Sequence, residues 1–95
     1  MAVIVRILVD AAGQSDHDRL QSAVENRLQD VGGPPEALMV HLGYPDDRGL
    51  VIVEAWRSED AFRSYLDHVL GGALRDVGLV AGEPDIVTAW SIARP

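Results

Sequence analysis

The segment Leu50–Leu70, LVIVEAWRSEDAFRSYLDHVL, constrains the fold more than any other part of the chain. Leu50 to Arg57 reads as a strand that is apolar on both sides, interrupted by the single carboxylate of Glu54. Ser58 follows as a helix N-cap, with Glu59 and Asp60 in the first turn, where the helix dipole favours negative charge. A carboxylate inside an apolar strand costs several kcal/mol to bury unless a partner or a polar site receives it. Glu54 therefore marks either a functional site or a structural ion pair, for which Arg6 on a neighbouring strand is the candidate partner.

The other elements fall into place around that segment. Ala2 to Val9 is a β-branched run of strand length, closed by Asp10 and the turn residues Ala11 to Gln14. Ser15 reads as a second N-cap, with Asp18 as a capping-box variant. Leu20, Ala23, Val24, Leu28 and Val31 then recur at helical spacing until Gly32-Gly33-Pro34-Pro35 stops the helix. Leu38 to Leu42 is a strand, and Tyr44 to Gly49 has turn chemistry. After Ser58, Phe62, Tyr65, Leu66, Val69, Leu70, Ala73, Leu74 and Val77 make an apolar helical stripe. Gly71-Gly72 predicts a kink or a break there into a short final turn closed by Gly78, since two glycines in a helix cost roughly 1–2 kcal/mol against alanine. Ile86 to Ile92 is the last strand. The order is βαββαβ, in one domain over residues 1–95.

Two right-handed crossovers joined by a hairpin give a ferredoxin-like α+β fold: a four-stranded antiparallel sheet with both helices on one face. An antiparallel sheet with one wet face should alternate apolar and polar residues. These strands do not. Leu50, Ile52, Glu54 and Trp56 oppose Val51, Val53 and Ala55, while Val3, Val5, Ile7 and Val9 oppose Ala2, Ile4 and Leu8. Two helices cover one face only, so a homodimer through the sheet faces is expected to cover the other, forming a dimeric α/β barrel. A 47% hydrophobic content in 95 residues points the same way, because so short a chain hides apolar surface poorly. The bulkier set, Ile52, Glu54 and Trp56, is assigned to the helix side.

Composition removes several function classes. With no cysteine, thiol catalysis, disulfides and Cys-based metal sites are excluded. The three histidines have no metal-ligand spacing, so no metal is expected. The net charge is −7 and the eight basic residues, all arginine, are scattered, which argues against nucleic acid and against an anionic membrane surface. No apolar run reaches the roughly 18 residues of a membrane helix, and the N-terminus lacks a basic signal-peptide region. A cytoplasmic location is the expectation.

The βαββαβ order, the apolar strand ending Glu54-Ala55-Trp56, and the following Ser58-Glu59-Asp60-Ala61-Phe62 resemble the antibiotic-biosynthesis-monooxygenase family of dimeric α/β-barrel proteins. That resemblance implies a pocket within each subunit, between sheet and helices, and an oxygenase-like activity needing no cofactor. Trp56 matches the tryptophan that oxygenase-like members carry at the end of strand three. At the helix-two position where many members have a histidine, counting from Ala61, this chain has Tyr65. The asparagine that quinone-forming members carry on the sheet has no counterpart, since the sole asparagine, Asn26, lies in helix one. Haem-degrading members pair a strand-one asparagine with that histidine, whereas strand one here offers Arg6, so haem is the least favoured ligand.

The expected catalytic residues are Glu54, His68 and Tyr65. Ile52, Trp56, Phe62 and Arg6 are expected to contact an apolar, aromatic or polyketide-like substrate. Each has a plainer role beside the functional one: Trp56 and Tyr65 as packing, and His68 as a rim residue. His41 can face the barrel or water, and His17 is expected on the helix-start surface. The alternative function is a dimeric module that binds a hydrophobic small molecule without chemistry.

Overall fold

Val3, Val5, Ile7 and Val9 are buried while the residues between them are more accessible, so β1 (Val3–Asp10) commits its odd-numbered side to the core. The computed structural model describes residues 1–93. Helix α1 (Gln14–Asp30) follows, then β2 (Leu38–Asp46) and β3 (Gly49–Trp56). A long second helical rod comprises α2 (Glu59–Tyr65), a π-helical turn at Leu66–Leu70, and α3 (Gly71–Asp76). β4 (Asp85–Thr88) ends the fold. All strand pairs are antiparallel, in the order β2-β3-β1-β4, which gives the α+β ferredoxin-like fold expected from the sequence.

Antiparallel partners point to the same side of a sheet. Glu54 pairs with Val5 and with His41, so all three side chains face the helices. Leu50, Ile52 and Trp56 join Val3, Val5, Ile7 and Val9 in one core with Leu20 and Ala23 of α1 and with the stripe of the second rod. The bulkier parity of β3 is thus the helix side, as its sequence suggests.

Several boundaries differ from the sequence reading. Helix α1 starts at Gln14, ahead of Ser15, because the Asp16 carboxylate accepts the Gly13 N–H at 2.9 Å and caps the first turn. The Tyr44–Gly49 turn shrinks to Asp47-Arg48: Tyr44, Pro45 and Asp46 stay paired to β3, with Pro45 tolerated on an edge strand. The Asp46 carboxylate accepts the Arg48 N–H at 2.6 Å and closes this tight turn. Gly49, at φ 150°, sits so close to the Val9 carbonyl that a side chain would not fit. The last strand covers Asp85–Thr88 instead of Ile86–Ile92, because its partner strand runs out: Ala89 N–H already reaches the Ala2 carbonyl.

The kink or break expected at Gly71-Gly72 takes the form of a π-helical turn at Leu66–Leu70 that ends where the glycines begin, followed by the short α3. Leu66, Leu70 and Gly71 all keep right-handed helical dihedrals, so the rod runs on through the glycines. Gly72 also serves packing, since a Cβ there would run into the Arg27 guanidinium of α1. Arg27 lies across the glycine and donates to both carboxylate oxygens of Asp76, at 2.8 and 2.9 Å. Among the described residues, no helix is long and apolar enough to cross a membrane.

Candidate functional site

The β2–β3 hairpin places His41 directly opposite Glu54. Glu54 is 1% exposed, yet both of its carboxylate oxygens are satisfied. Trp56 Nε1–H, two residues along the same strand side, donates to Oε1 at 3.0 Å. His41 Nδ1 meets Oε2 at 2.7 Å, a length typical of a charge-assisted bond. Such partners are what a buried carboxylate requires. The bond to Glu54 raises the His41 pKa above 6.5, against an opposing effect of burial, because the carboxylate stabilises the imidazolium. With Nδ1 engaged, Nε2 is the ring nitrogen left for other chemistry.

Aromatic side chains hold this trio from behind. Phe62 packs edge-on to Trp56 with ring centroids 5.8 Å apart, and Tyr65 lies tilted against it at 5.0 Å. Burial pushes the Tyr65 hydroxyl well above the ordinary phenol range, and the nearby Glu54 charge adds to the effect. Tyr65 therefore stays a protonated donor at all physiological pH.

In front of Glu54 and His41 lies a hollow of about 270 Å³ between α1 and the sheet. Leu20, Val24 and Leu28 of α1, Ile52 and Leu50 of β3, and Tyr65 line it. Its walls are apolar, and the acid–imidazole pair converges on one side, a combination typical of small-molecule sites.

The residues expected from sequence separate into three groups. Glu54, Tyr65 and Ile52 line the hollow. Trp56 and Phe62 stand in the layer behind, where they position Glu54 and Tyr65. Arg6 and His68 lie elsewhere. Arg6 pairs with Val53, on the far face of the sheet, and its guanidinium is 4.0 Å from Asp46. The structural alternative for Glu54, an Arg6 ion pair, is thereby replaced by His41 and Trp56. His68 Nδ1 instead engages the Ser64 carbonyl one turn back, at 2.8 Å, on the exposed side of the helix.

His41 and His17 were the residues that sequence reasoning left aside. His41 follows from strand parity once the two-residue turn is recognised. His17, expected on the surface, is half-buried and borders the hollow. Among the described residues, no three His, Asp or Glu side chains gather as a metal ion would require.

No family model matches the chain, and no curated protein is similar to it. Solved structures are. A variant of SnoaB, a cofactor-independent oxygenase from Streptomyces nogalater, superposes with a TM-score of 0.63 at 13% identity, over 96% of this chain and 94% of that one. A candidate antibiotic biosynthesis monooxygenase from Deinococcus radiodurans gives 0.60 at 15% identity, over 100% and 98%. Rv0793 from Mycobacterium tuberculosis gives 0.60 at 15%, over 99% and 100%. The fold is that of the antibiotic biosynthesis monooxygenase-like structures. At these identities the likeness carries architecture and leaves the chemistry to the residues of this chain.

Proposed function

We propose that this protein is a homodimeric, cofactor-independent, monooxygenase-like enzyme acting on an aromatic or polyketide-like small molecule. The observation that carries this reading is the Glu54–His41 pair, a buried carboxylate bonded to an imidazole at the wall of an apolar hollow. Glu54 holds the His41 tautomer and stabilises the imidazolium, as a carboxylate does in a base-orienting dyad. His41 Nε2 then takes a proton from an acidic C–H of the substrate.

The resulting carbanion passes one electron to dioxygen, and the substrate radical and superoxide combine to form a C–O bond. The peroxide anion takes a proton back from His41. Loss of water, with the second hydrogen of the same carbon, leaves a carbonyl. A methylene plus dioxygen thus becomes a carbonyl plus water, with all electrons coming from the substrate. Tyr65, as a permanent donor, stabilises negative charge on the ring oxygen during deprotonation. The homodimer rests on the second sheet face, where Val40, Leu42, Tyr44 and Val87 are exposed together.

Anthrone, whose methylene lies between two aryl rings opposite a carbonyl, is a suitable first substrate for an oxygen electrode. Glu54→Gln and His41→Gln should each lower turnover by roughly 10²–10⁴-fold, the usual contribution of a general base, with circular dichroism unchanged. Wild-type-like rates in both variants, or no oxygen uptake above the uncatalysed rate, would overturn the enzymatic reading. The second reading, a binding module without chemistry, is favoured by the lack of any asparagine on the sheet.

A further inference from the structure

A second hollow, of about 380 Å³, lies beside the first at the end of the sheet where α1 begins. Ala12, Gly13, Gln14, Gly43 and Pro45 line it, and it shares two residues, His17 and Leu50, with the inner one. The inner hollow alone falls short of the roughly 300–1,000 Å³ of drug-sized ligand sites, whereas the two together lie within that range. His17 and Leu50 thus form a wall common to both hollows, the place where one ligand could pass from one to the other.

The chemistry of the outer chamber differs from that of the inner. Asp18 accepts from His17 Nδ1 at 3.0 Å and from Gln14 Nε2 at 3.2 Å, which fixes both side chains from the far side. In the neutral ring whose Nδ1–H is donated to Asp18, His17 Nε2 is the hydrogen-bond acceptor. Gln14 likewise keeps its amide oxygen as an acceptor. Asp16 and Asp18 in the same turn disfavour an anion there. Gly43 leaves room for the imidazole: a Cβ on it would stand 3.6 Å from His17 Nε2 and 3.7 Å from a methyl of Leu50. A Cβ alone is ordinary contact, but the branches of a larger side chain would crowd this shared wall.

We infer that the substrate is elongated and two-part: an apolar ring system in the inner hollow, and an uncharged, hydroxyl-bearing end that donates to His17 Nε2 in the outer one. His17 and Gly43 are the residues that set this length and polarity. The inference rests on the reading that the inner hollow takes an aromatic ring, and it is independent of whether oxygen chemistry follows.

Two probes separate these ideas: 1-naphthol, a two-ring phenol short enough for the inner hollow, and 2-hydroxytetracene-5,12-dione, a four-ring phenol whose free hydroxyl sits on a terminal ring and must reach past His17. Binding is read from the fluorescence of buried Trp56 in a Trp90→Phe background, because Trp90 is 98% exposed and would mask it. Gly43→Val should weaken the four-ring probe by at least about tenfold, about 1.4 kcal/mol, and leave 1-naphthol unchanged. His17→Leu, which keeps the bulk and removes the acceptor, should likewise weaken only the four-ring probe. Equal losses for both probes, no loss for either, or binding of 1-naphthol without the four-ring compound would each overturn the inference. Failure of 1-naphthol itself to bind would sink the aromatic pocket of the proposed function as well. Intact binding selectivity without oxygen uptake would leave this inference standing and remove only the catalytic reading.

Discussion

The two faces of the sheet use nearly the same residue types to opposite ends. On the helix side, Trp56, Phe62, Ile7 and Val5 are almost wholly buried, and a carboxylate survives among them through two hydrogen bonds. On the other side, Val40, Leu42, Tyr44 and Val87 are equally apolar and remain exposed, while charges such as Arg6 and Asp46 lean towards each other at the rim. Apolar content alone does not separate a core from a docking face. What separates them is whether a polar group is enclosed with its partners or left at the rim.

The largest effect expected from this contrast is on stability. Trp56→Ala should lower the unfolding free energy by about 3–5 kcal/mol in urea titrations, the usual cost of truncating a core aromatic, and it also strips Glu54 of a donor. Leu42→Asp, on the open face, should leave the monomer's unfolding midpoint nearly unchanged and shift the proposed dimer towards monomer in native mass spectrometry. A Leu42→Asp protein that stays dimeric would break the contrast, as would a Trp56→Ala protein as stable as its parent.

A smaller effect concerns pH. The folded-state pKa of His41 is raised above its unfolded value of 6.5. Its ion pair with Glu54 therefore contributes fully below about pH 6.5 and is lost as pH rises through the elevated folded value. The half-exposed imidazole keeps that contribution modest. The melting-temperature gap between wild type and His41→Gln should shrink from pH 6 towards pH 9, while oxygen uptake on anthrone, which needs neutral His41, rises over the same interval. A flat gap would mean that the pair is not ionic.

The smallest effect tests the packing between helices. Gly72→Ala should raise the melting temperature slightly, because a helix-propensity gain of about 1 kcal/mol is only partly reduced by shifting the exposed Arg27 side chain away from Asp76. In an Arg27→Ala background the same substitution should show the gain in full. Equal shifts in both backgrounds would mean that Arg27 does not depend on Gly72.

Much of this was legible from residues alone, because it follows from periodicity. The alternating bulk of β3 gives its parity, and the stripe from Phe62 to Val77 gives the face of the second rod. Glu54 identified itself as an isolated carboxylate in an apolar run. Its partner did not, because β2 lacks clean alternation: the register shifts between Leu38 and Val40, and the strand is exposed along most of its length. Arg6 misled for a related reason. Opposite charges on neighbouring strands look like partners until the register is known, and here it sets Arg6 against Val53 on the other face. His17 was hidden by composition, since Asp16-His17-Asp18 has the polarity of a surface turn even though the ring folds over Gly43. The glycine pair was legible in part: the rod changes from π-helical to α-helical winding at Leu70–Gly71, yet tertiary packing keeps it from stopping there.

The hairpin turn carries a last consequence. His41 and Glu54 stand opposite one another only because two residues, Asp47 and Arg48, separate the paired ends of their strands. Adding or deleting one residue there, with β3 held in the sheet, would reverse the parity of β2 and send His41 to the far face. The length of this turn is thus as much a determinant of the chemistry as the two side chains themselves. Both travel in one stretch of fewer than twenty residues from Leu38 to Trp56, which makes the hairpin the natural unit for grafting this dyad onto another sheet.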